Sequence, residues 1–523
     1  MIANTSRDTT VVRIPLKSAK HHYGVACSRG TRPYNEDTYQ AGTIELPAFA
    51  KRAPMSVRSG PQGAMSAESA SGDPQVFYFG VFDGHGGDKC SIWLREKLHW
   101  YLEESAAKFG LQSTLPRNGT KRMVVRKKGS EVQEGQTASQ NEAAATAGSQ
   151  DQKAIDAIGP QQTLFELAEV DSAAPADGDE DAITLQTNLV KIWGDTVGGY
   201  FRRFKPEYFA KEAGGQGEVL YPSTVRNGKE IAINPMHTSM GESARASDNA
   251  ALESVLSYSF LRADLDFVTA HSSLNSTHTD TSKDTSAEAS TPAADSSPSS
   301  PQDKPSQPFL GGSTCSVALI STPGPIPFWH PSSPFTIATT HVGDTRIILC
   351  ATTTGAPIPV TTTHHPSTPA EEARLRRYAA AFTTDSFGEE RLTGLANTRS
   401  FGDRRSKRVG VSAEPHLTLL HAKPAEFSFL VLVTDGVTGP LSDQEIVDVV
   451  KEARTPEQAA KDVVSLAVEI AGGEQGQSDN ATCQVVRLGG WERRMEGGGG
   501  SLGTKEAREQ RRNAASDPRA GRR

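Results

Sequence analysis

The chain has 523 residues, of which 36% are hydrophobic, and it carries a formal net charge of −7 at pH 7. That length suits one large domain with insertions or a few smaller domains. The acidic balance lacks the basic character of nucleic-acid-binding proteins, and the sequence has no apolar run near the roughly 18 residues that cross a bilayer. We therefore expect neither a nucleic-acid partner nor a membrane span.

The first 22 residues are predicted to form a flexible segment. They contain Arg7, Arg13, Lys17 and Lys20 among serines and threonines, and Asp8 is their only acidic residue. This composition is similar to that of a mitochondrial presequence. A short flexible tail is the alternative, and we prefer it.

The five cysteines are spread along the chain without a CxxC pair. Most of them lie in apolar, strand-like stretches, as reduced core thiols do, so we expect an intracellular protein. The sequence leaves the mitochondrial matrix, the cytosol and the nucleus open, with a slight preference for mitochondria.

Two long segments of low-complexity composition interrupt the rest of the chain. They run from about 111 to 181 and from about 271 to 308, and both are rich in small, polar and charged residues. Such segments cannot bury enough apolar surface to offset the entropy lost on ordering. The Gly-, Arg- and Glu-rich tail, 489–523, is predicted to be disordered for the same reason. The sequence thus predicts one ordered domain within 23–488.

Apolar runs predict a series of strands in this domain. In chain order they are Val76–Phe82, Thr314–Ile320, Phe335–His341, Arg346–Cys350, Phe427–Val433 and Ala481–Arg487. Ser442, with Glu445 three residues on, signals a capped helix, and a second helix runs from Pro456 to the pair Gly472-Gly473. Because strands outnumber helices and are irregularly spaced, we predict one mixed domain with many antiparallel strands.

Acidic residues recur at the ends of the predicted strands. Asp83 and Asp435 each follow a near-continuous apolar strand, Asp479 precedes the last strand, and Asp344 occupies a tight turn between two strands. Taken singly, each has an ordinary explanation as a turn or cap residue. Strands that are apolar throughout are central, however, and the ends of central strands lie close together. We therefore expect these carboxylates to converge.

Converging carboxylates need a compensating charge. Two of them about 4 Å apart repel by about 4 kcal/mol at an effective dielectric constant of about 20. Ligands that are all oxygen, without cysteine or clustered histidine, indicate Mg²⁺ or Mn²⁺ rather than zinc. Gly84 has no side chain and can offer its backbone carbonyl to such an ion. The residues alone thus predict a site for hard dications at the ends of core strands.

Several motifs occur in a fixed order along the chain. They are RPYNED (32–37), FGVFDGHGG (79–87), GSTCSVALI (312–320), HVGDTR (341–346), LANTRSFGD (395–403), VTDGVTG (433–439) and SDNAT (478–482). In this order they resemble the motifs of the metal-dependent type 2C (PPM) Ser/Thr protein phosphatases. The resemblance implies an α+β fold, a two-sheet, mainly antiparallel β-sandwich flanked by helices, with a dinuclear metal site at one end. The stretch SRGTRPYNEDTYQ and the long insertions are most similar to fungal mitochondrial members.

The resemblance also implies a metal ligand at each matching position. Asp83 would bridge two Mg²⁺ or Mn²⁺ ions, the Gly84 carbonyl would bind one of them, and Asp435 and Asp479 would bind the other. Asp344 is associated with a third, weaker ion in some members. Many members carry a second acidic residue for that ion where this chain has Gly439, so the third site stays open.

Four further residues receive roles from the resemblance. Glu36 and Asp37 would hold metal-bound waters, although a solvated loop is the ordinary explanation of this acidic pair. Arg32 would bind the substrate phosphate, because a guanidinium fork matches two phosphate oxygens. His85 would act as the general acid for the leaving alkoxide. The family often has Asp-His-Lys-Pro where this chain has Thr363–Pro366, and we expect that change to affect only a surface loop.

The implied function is hydrolysis of phosphoserine and phosphothreonine in proteins by direct attack of a metal-bridging hydroxide. Phosphorylated proteins are then the expected partners, and we expect a monomer. The alternative is an inactive pseudophosphatase that acts as a binding scaffold, but such members usually lose a metal carboxylate, and Asp83, Asp435 and Asp479 are all present. A dimetal nuclease or small-molecule phosphatase is less favoured, because no basic groove with interleaved aromatic residues is visible.

Overall fold

A computed structural model describes residues 21–51, 73–115, 182–217, 223–226, 229–232, 242–271, 309–376, 382–384, 390–474, 476–495 and 501–516. The predicted flexible segment up to residue 20 and most of both low-complexity segments lie outside these residues. All the described elements belong to one compact unit. Among them, none of the helices combines the length and apolar character needed to cross a bilayer.

The strands are numbered in chain order. They are β1 (Tyr23–Ser28), β2 (Thr38–Ile44), β3 (Val76–His85), β4 (Ser223–Arg226), β5 (Lys229–Ala232), β6 (Gly312–Ser321), β7 (Phe335–Val342), β8 (Arg346–Ala351), β9 (Pro357–Pro359), β10 (Phe382–Thr384), β11 (Glu390–Leu392), β12 (Phe401–Gly402), β13 (His416–Ala422), β14 (Phe427–Val433) and β15 (Ala481–Arg487).

The helices are numbered in the same way. They are α1 (Lys89–Lys108), α2 (Ala182–Thr196), α3 (Glu242–Ala270), α4 (Pro369–Arg376), α5 (Arg404–Lys407), α6 (Asp435–Thr438), α7 (Asp443–Glu452), α8 (Pro456–Glu474) and α9 (Ser501–Ser516). Short 3₁₀ turns lie at Gly199–Arg203 and Trp491–Arg493.

Two antiparallel sheets form the centre of the fold. Sheet I has the strand order β1-β15-β14-β8-β9, and sheet II has the order β13-β7-β6-β3-β2, with β12 also paired to β6. The pairs β4-β5 and β10-β11 form separate two-stranded sheets. The predicted fold class, a mainly antiparallel β-sandwich flanked by helices, is therefore confirmed.

The central strands are buried on both faces, which explains why their sequences are apolar throughout. On β3, Phe79 and Val81 pack between the two sheets, whereas Tyr78 and Phe82 pack against α1 and α3. Alternate residues of a strand face opposite sides of its sheet, so one strand serves both layers. On β14, Leu430 and Leu432 pack between the two sheets, whereas Phe429 and Val431 pack against α7 and α8.

The predicted elements lie close to their expected positions. The last two predicted strands match β14 and β15 residue for residue, and the others extend by a few residues as β3, β6, β7 and β8. Ser442 and Glu445 form the predicted capping box at the start of α7. The helix expected from Pro456 is α8.

The C-terminal tail differs from the prediction of disorder. Trp491 is 2% exposed and packs in the core beside α7 and α8. Farther on, α9 lies against α7 and α8, where Arg508 pairs with Glu452 at 2.6 Å and Arg511 pairs with Glu445 at 2.9 Å. The composition misled the prediction because this helix is attached by arginine ion pairs rather than by an apolar stripe.

Candidate metal centre

Three carboxylates converge at the ends of β3 and β14 and at the turn between β7 and β8. Asp83 lies near the end of β3, Asp435 follows β14, and Asp344 lies in the turn. One carboxylate oxygen from each lies within 4.8 Å of the other two. The convergence expected from the apolar strands is therefore found for three of the four carboxylates. It includes Asp344, which the family resemblance assigns only to a weak third ion, and leaves out Asp479.

The turn that presents Asp344 depends on Gly343. Its φ is +105°, and a Cβ at this position would lie 2.3 Å from the Thr314 side chain, so a larger residue is excluded. The Gly343 amide donates to His364 Nδ1 at 2.9 Å. Burial and the nearby Arg399 lower the pKa of His364, so that a neutral ring accepts this bond.

His364 is the histidine that this segment shares with the Asp-His-Lys-Pro pattern, and it is 4% exposed. The two positions that differ from the pattern, Thr363 and His365, are partly exposed, and the expectation that they alter only a surface loop stays a prediction. The His364 amide donates to the Gly343 carbonyl at 2.8 Å, so His364 supports the turn beside the carboxylate group from both sides.

The electrostatics of the three-carboxylate group favour bound positive charge. Burial, followed by the charges of Asp435, Asp37 and Asp344, raises the pKa of Asp83 well above its usual range. Burial, followed by Asp344, Asp479 and Asp37, raises the pKa of Asp435 to about 8. These carboxylates are therefore poorly stabilised as anions by the protein alone.

Asp37 links this group to two neighbouring strands. It is 6% exposed, and its Oδ2 accepts hydrogen bonds from Thr434 Oγ1 at 2.9 Å and Thr482 Oγ1 at 2.7 Å. Burial nevertheless raises the pKa of Asp37 to about 6. Its Oδ1 is buried and accepts no hydrogen bond from the described residues, and the same holds for Asp344 Oδ1.

Glu36 and Gly84 are in close contact. A Cβ on Gly84 would lie 2.5 Å from the Glu36 carbonyl oxygen, so the approach of the two chain segments requires glycine. Ser91 Oγ donates to the same carbonyl at 2.5 Å, and the Gly87 amide donates to Glu36 Oε1 at 2.5 Å. The glycines after Asp83 thus allow the loop before β2 to pack against the end of β3.

Arg32 and Asp479 form an exposed ion pair at the rim. Arg32 Nη2 lies 2.6 Å from Asp479 Oδ2, and the two side chains are 56% and 41% exposed. Asp479 lies outside the three-carboxylate group. The next residue, Asn480, accepts from the Glu36 amide at 2.8 Å and donates to the Tyr34 carbonyl at 3.1 Å. Sequence analysis noted Asn480 beside Asp479 but gave it no role; the structure makes it the residue that holds the Arg32 loop.

His85 is held by an acidic residue that sequence analysis did not single out. His85 Nε2 lies 2.8 Å from Asp403 Oδ2, and Ser400 Oγ donates to the same oxygen at 2.5 Å. Burial opposes protonation of His85, but the hydrogen bond and charge of Asp403 outweigh it, and the net effect raises its pKa. The available signal was the final residue of the motif LANTRSFGD, which lies far from His85 in sequence.

A fully buried ion pair fixes the loop that carries Asp403. Lys407 Nζ and Asp264 Oδ2 lie 2.5 Å apart, and both side chains are 0% exposed. Lys407 also donates to the Ser400 carbonyl at 2.7 Å, while Asp264 Oδ1 accepts from the Gly402 amide at 2.8 Å. The pair therefore holds the loop from both ends.

The donor set fits a hard divalent cation. The three-carboxylate group offers carboxylate oxygens whose charges repel one another. Asp344 Oδ1 in this group and Asp37 Oδ1 beside it have no hydrogen-bond partner among the described residues. Oxygen ligands of this kind match Mg²⁺ or Mn²⁺.

Asp435→Asn is expected to stabilise the metal-free protein. The folded pKa of about 8 exceeds the ordinary 3.8, so folded protein binds a proton here more readily than unfolded protein does. Stability is therefore lost as the pH rises from about 4 to about 8, and asparagine removes this loss. In EDTA at pH 8 we expect the melting temperature to rise by roughly 2–5 °C, and by less at pH 5. A lower melting temperature at pH 8 would contradict the repulsion.

Comparisons with known proteins identify the chain as related to one family. The sequence profile described as Protein phosphatase 2C matches residues 259–476. Protein phosphatase 2C homolog 4 of Schizosaccharomyces pombe is 38% identical over 240 residues, which cover 46% of this chain and 53% of that protein. Protein phosphatase 1K, mitochondrial, of Xenopus laevis is 35% identical over 151 residues, which cover 29% of this chain and 39% of that protein. The chain thus matches about half the length of these relatives, or less.

Among solved structures, a serine-threonine phosphatase 2C from Toxoplasma gondii aligns with 89% of this chain and 94% of its own, at 13% identity and a TM-score of 0.43. The sequence matches carry the comparison: residues 259–476 match the protein phosphatase 2C profile, and the resemblance seen in the motifs is confirmed.

Proposed function

We propose that the protein is a metal-dependent phosphatase that hydrolyses phosphoserine and phosphothreonine in other proteins. The observation that carries this proposal is the three-carboxylate group of Asp83, Asp344 and Asp435, each of which has a carboxylate oxygen within 4.8 Å of the other two. Its relatives are named as protein phosphatases. The complete set of acidic residues favours an enzyme over an inactive binding scaffold.

The proposed metal ligands are the acidic residues of the site. Two Mg²⁺ or Mn²⁺ ions would be held by Asp83, the Gly84 carbonyl, Asp435 and Asp479, and the position of Asp344 supports its taking part in a third or shared site. When bound, such ions lower the pKa of water and withdraw charge from a phosphoryl group.

Glu36 and Asp37 are proposed to orient water molecules beside the ions. Asp37 is held by two threonine hydroxyls, and Glu36 is held through its carboxylate and its carbonyl. Both carboxylates are thus fixed before substrate binds, which reduces the reorganisation needed during reaction.

Arg32 is proposed to bind the phosphate of the substrate. Its side chain is 56% exposed and lies on a loop that Asn480 holds in place. An exposed guanidinium paired to one carboxylate oxygen of Asp479 retains further N–H donors for a phosphate.

His85 is proposed to give a proton to the serine or threonine oxygen as it leaves. Asp403 holds the ring at Nε2 and favours the protonated form. A leaving alkoxide is a strong base, so a positioned proton donor accelerates its departure.

The wider setting of the enzyme is also proposed. Its substrates are phosphorylated proteins, and it acts as a monomer inside the cell. The similarity to a relative named as mitochondrial supports, to a small degree, a mitochondrial location. We propose residues 23–488 as the catalytic domain, with the insertions at about 111–181 and 271–308 outside its catalytic part.

Deleting residues 275–306 is expected to leave turnover of nitrophenyl phosphate within about twofold of wild type. The ring centroids of His271 and Phe309, which flank this segment, lie 6.1 Å apart, so a short loop can join them without strain. Turnover per folded protein is the measurement, with folding checked by circular dichroism. A folded deletion variant with severely reduced turnover would show that the insertion contributes to the site.

The experiment that tests the proposed function is phosphate release from a phosphoserine peptide by the protein, first stripped of metal with EDTA and then supplied with Mn²⁺. Phosphate release that depends on the added Mn²⁺ supports the proposal. Phosphate release that is the same with and without Mn²⁺ contradicts the proposal.

A further inference from the structure

An exposed basic surface lies beside the His85–Asp403 pair. It begins at the residue after Asp403, where the sequence reads RRSKR. We call this surface the basic shelf; its members are Arg202, Lys205, Arg404, Arg405 and Arg408, all of which are exposed.

The orientation of α5 follows from one buried lysine. Lys407 is 0% exposed because it pairs with Asp264 in the interior, and Ser406 beside it is also buried. On a helical turn that faces inward at these two positions, Arg404, Arg405 and Arg408 must point outward. The ion pair that fixes the Asp403 loop therefore also places three arginines on the surface next to it.

A second segment adds to the same surface. The Tyr200 amide donates to the Arg408 carbonyl at 2.9 Å, and a Cβ on Gly199 would lie 2.3 Å from that carbonyl oxygen. The turn Gly199–Arg203 is thus packed directly on the end of α5, and Arg202 on this turn and Lys205 just after it are exposed. Two chain segments that are distant in sequence therefore contribute exposed cations next to the Asp403 loop.

The shelf is not neutralised by neighbouring carboxylates. None of the ion pairs between residues that the structure describes involves a member of the shelf. Two acidic residues beside the shelf are engaged elsewhere: Asp403 with His85, and Asp264 with Lys407. The net charge of the chain is −7, so exposed positive charge concentrated next to the proposed proton donor is unusual for this protein. Such a surface attracts a negatively charged ligand.

We propose that the basic shelf binds acidic residues that flank the target phosphoserine or phosphothreonine, so that the preferred substrates are phosphoproteins with acidic segments around the modified residue. The inference rests on the proposed phosphatase function and specifies its substrate class. An extended peptide advances about 3.3 Å per residue. His85, which lies two residues after Asp83, pairs with Asp403 at 2.8 Å, and the shelf starts immediately after Asp403. We therefore expect residues a few positions from a phosphoserine at the metal centre to reach the shelf.

The test compares two phosphoserine peptides that differ only in their flanks, acidic in one and Asn/Gln in the other. We expect wild-type protein to show a kcat/KM about tenfold higher on the acidic peptide, since several exposed charge contacts each contribute modestly. The triple variant Arg404→Glu, Arg405→Glu and Arg408→Glu should lose this preference and keep its nitrophenyl phosphate turnover. The preference should also disappear in about 1 M salt, where charges are screened within about 3 Å.

A matched control makes the same change of charge elsewhere. Arg454, Arg493 and Lys505 are exposed. Arg454, between α7 and α8, lines a cavity with Arg487 at the end of β15, Arg493 follows that strand, and Lys505 lies on α9. Asp479, by contrast, precedes the start of this 7-residue strand. Replacing all three with Glu should leave the preference for the acidic peptide intact. Equal kcat/KM for both peptides in wild type, or an equal loss in the control variant, would overturn the inference.

Binding separates this inference from the proposed function. Fluorescence anisotropy of a labelled acidic peptide without phosphate needs no catalysis, and the shelf variant should bind it about tenfold more weakly than wild type. If wild type fails to hydrolyse nitrophenyl phosphate in Mn²⁺, the proposed function fails. If the acidic peptide does not bind, or if a single-stranded oligonucleotide binds the shelf more tightly, the shelf inference fails.

Discussion

Asp83→Asn is expected to lower nitrophenyl phosphate hydrolysis in saturating Mn²⁺ by at least about 10²-fold. Asp83 contributes to the three-carboxylate group from the end of a central, largely buried strand, and asparagine keeps its shape while removing its charge. Loss of residues that merely support a metal ligand typically reduces affinity or activity about 10–100-fold, so loss of a ligand should reduce it at least as much. The measurement is kcat/KM with Mn²⁺ varied over a wide range.

The matched control is Asp462→Asn, which removes the same charge from an exposed position on α8. It should retain wild-type turnover. Retention of more than a tenth of wild-type activity by Asp83→Asn, in a folded protein, would contradict the assignment of this residue to the metal centre.

His85→Gln is expected to slow phosphopeptide hydrolysis by about 10²–10³-fold and nitrophenyl phosphate hydrolysis by about tenfold or less. Positioned proton transfer typically accounts for about 10²–10⁴-fold in rate. A serine alkoxide needs the proton in order to leave, whereas nitrophenolate, a weak base, does not. Glutamine can still donate a hydrogen bond to Asp403, so the Asp403 loop should keep its position.

The two substrates serve as controls for each other in this experiment, and a Mn²⁺ titration completes it. Mn²⁺ affinity should change little, because the proposed ligands are oxygens. Equal losses on both substrates together with weakened Mn²⁺ binding would assign His85 to the support of the metal site and remove it from proton transfer.

The core of the fold could be predicted from the sequence because the strands that matter are buried on both faces. A strand such as Phe427–Val433 reads as a continuous apolar run, and its bounds were predicted without error. The end of such a run then predicts where Asp435 lies. The capped start of α7 was predictable for a similar reason, since a capping box is a local pattern within four residues.

Contacts between distant segments could not be predicted in this way. Asp403 is 318 residues from His85 along the chain, and no local pattern marks it as the partner of that ring. Asp344 was placed in a turn, but its approach to Asp83 depends on how β7 and β8 sit across the sandwich. The attachment of α9 depends on ion pairs with α7 and α8. These ion pairs could not be predicted from the composition of a charged, Gly-rich tail.

The acidic residues of the site are proposed to hold divalent ions that act on phosphoserine. The most direct measurement is phosphate release from a phosphoserine peptide by EDTA-stripped protein while Mn²⁺ is titrated back and its binding is followed in parallel. We predict no release without the ion, saturable recovery as about two Mn²⁺ bind per chain, and no recovery in Asp83→Asn. Release that persists in EDTA, or that recovers equally in Asp83→Asn, would contradict the account.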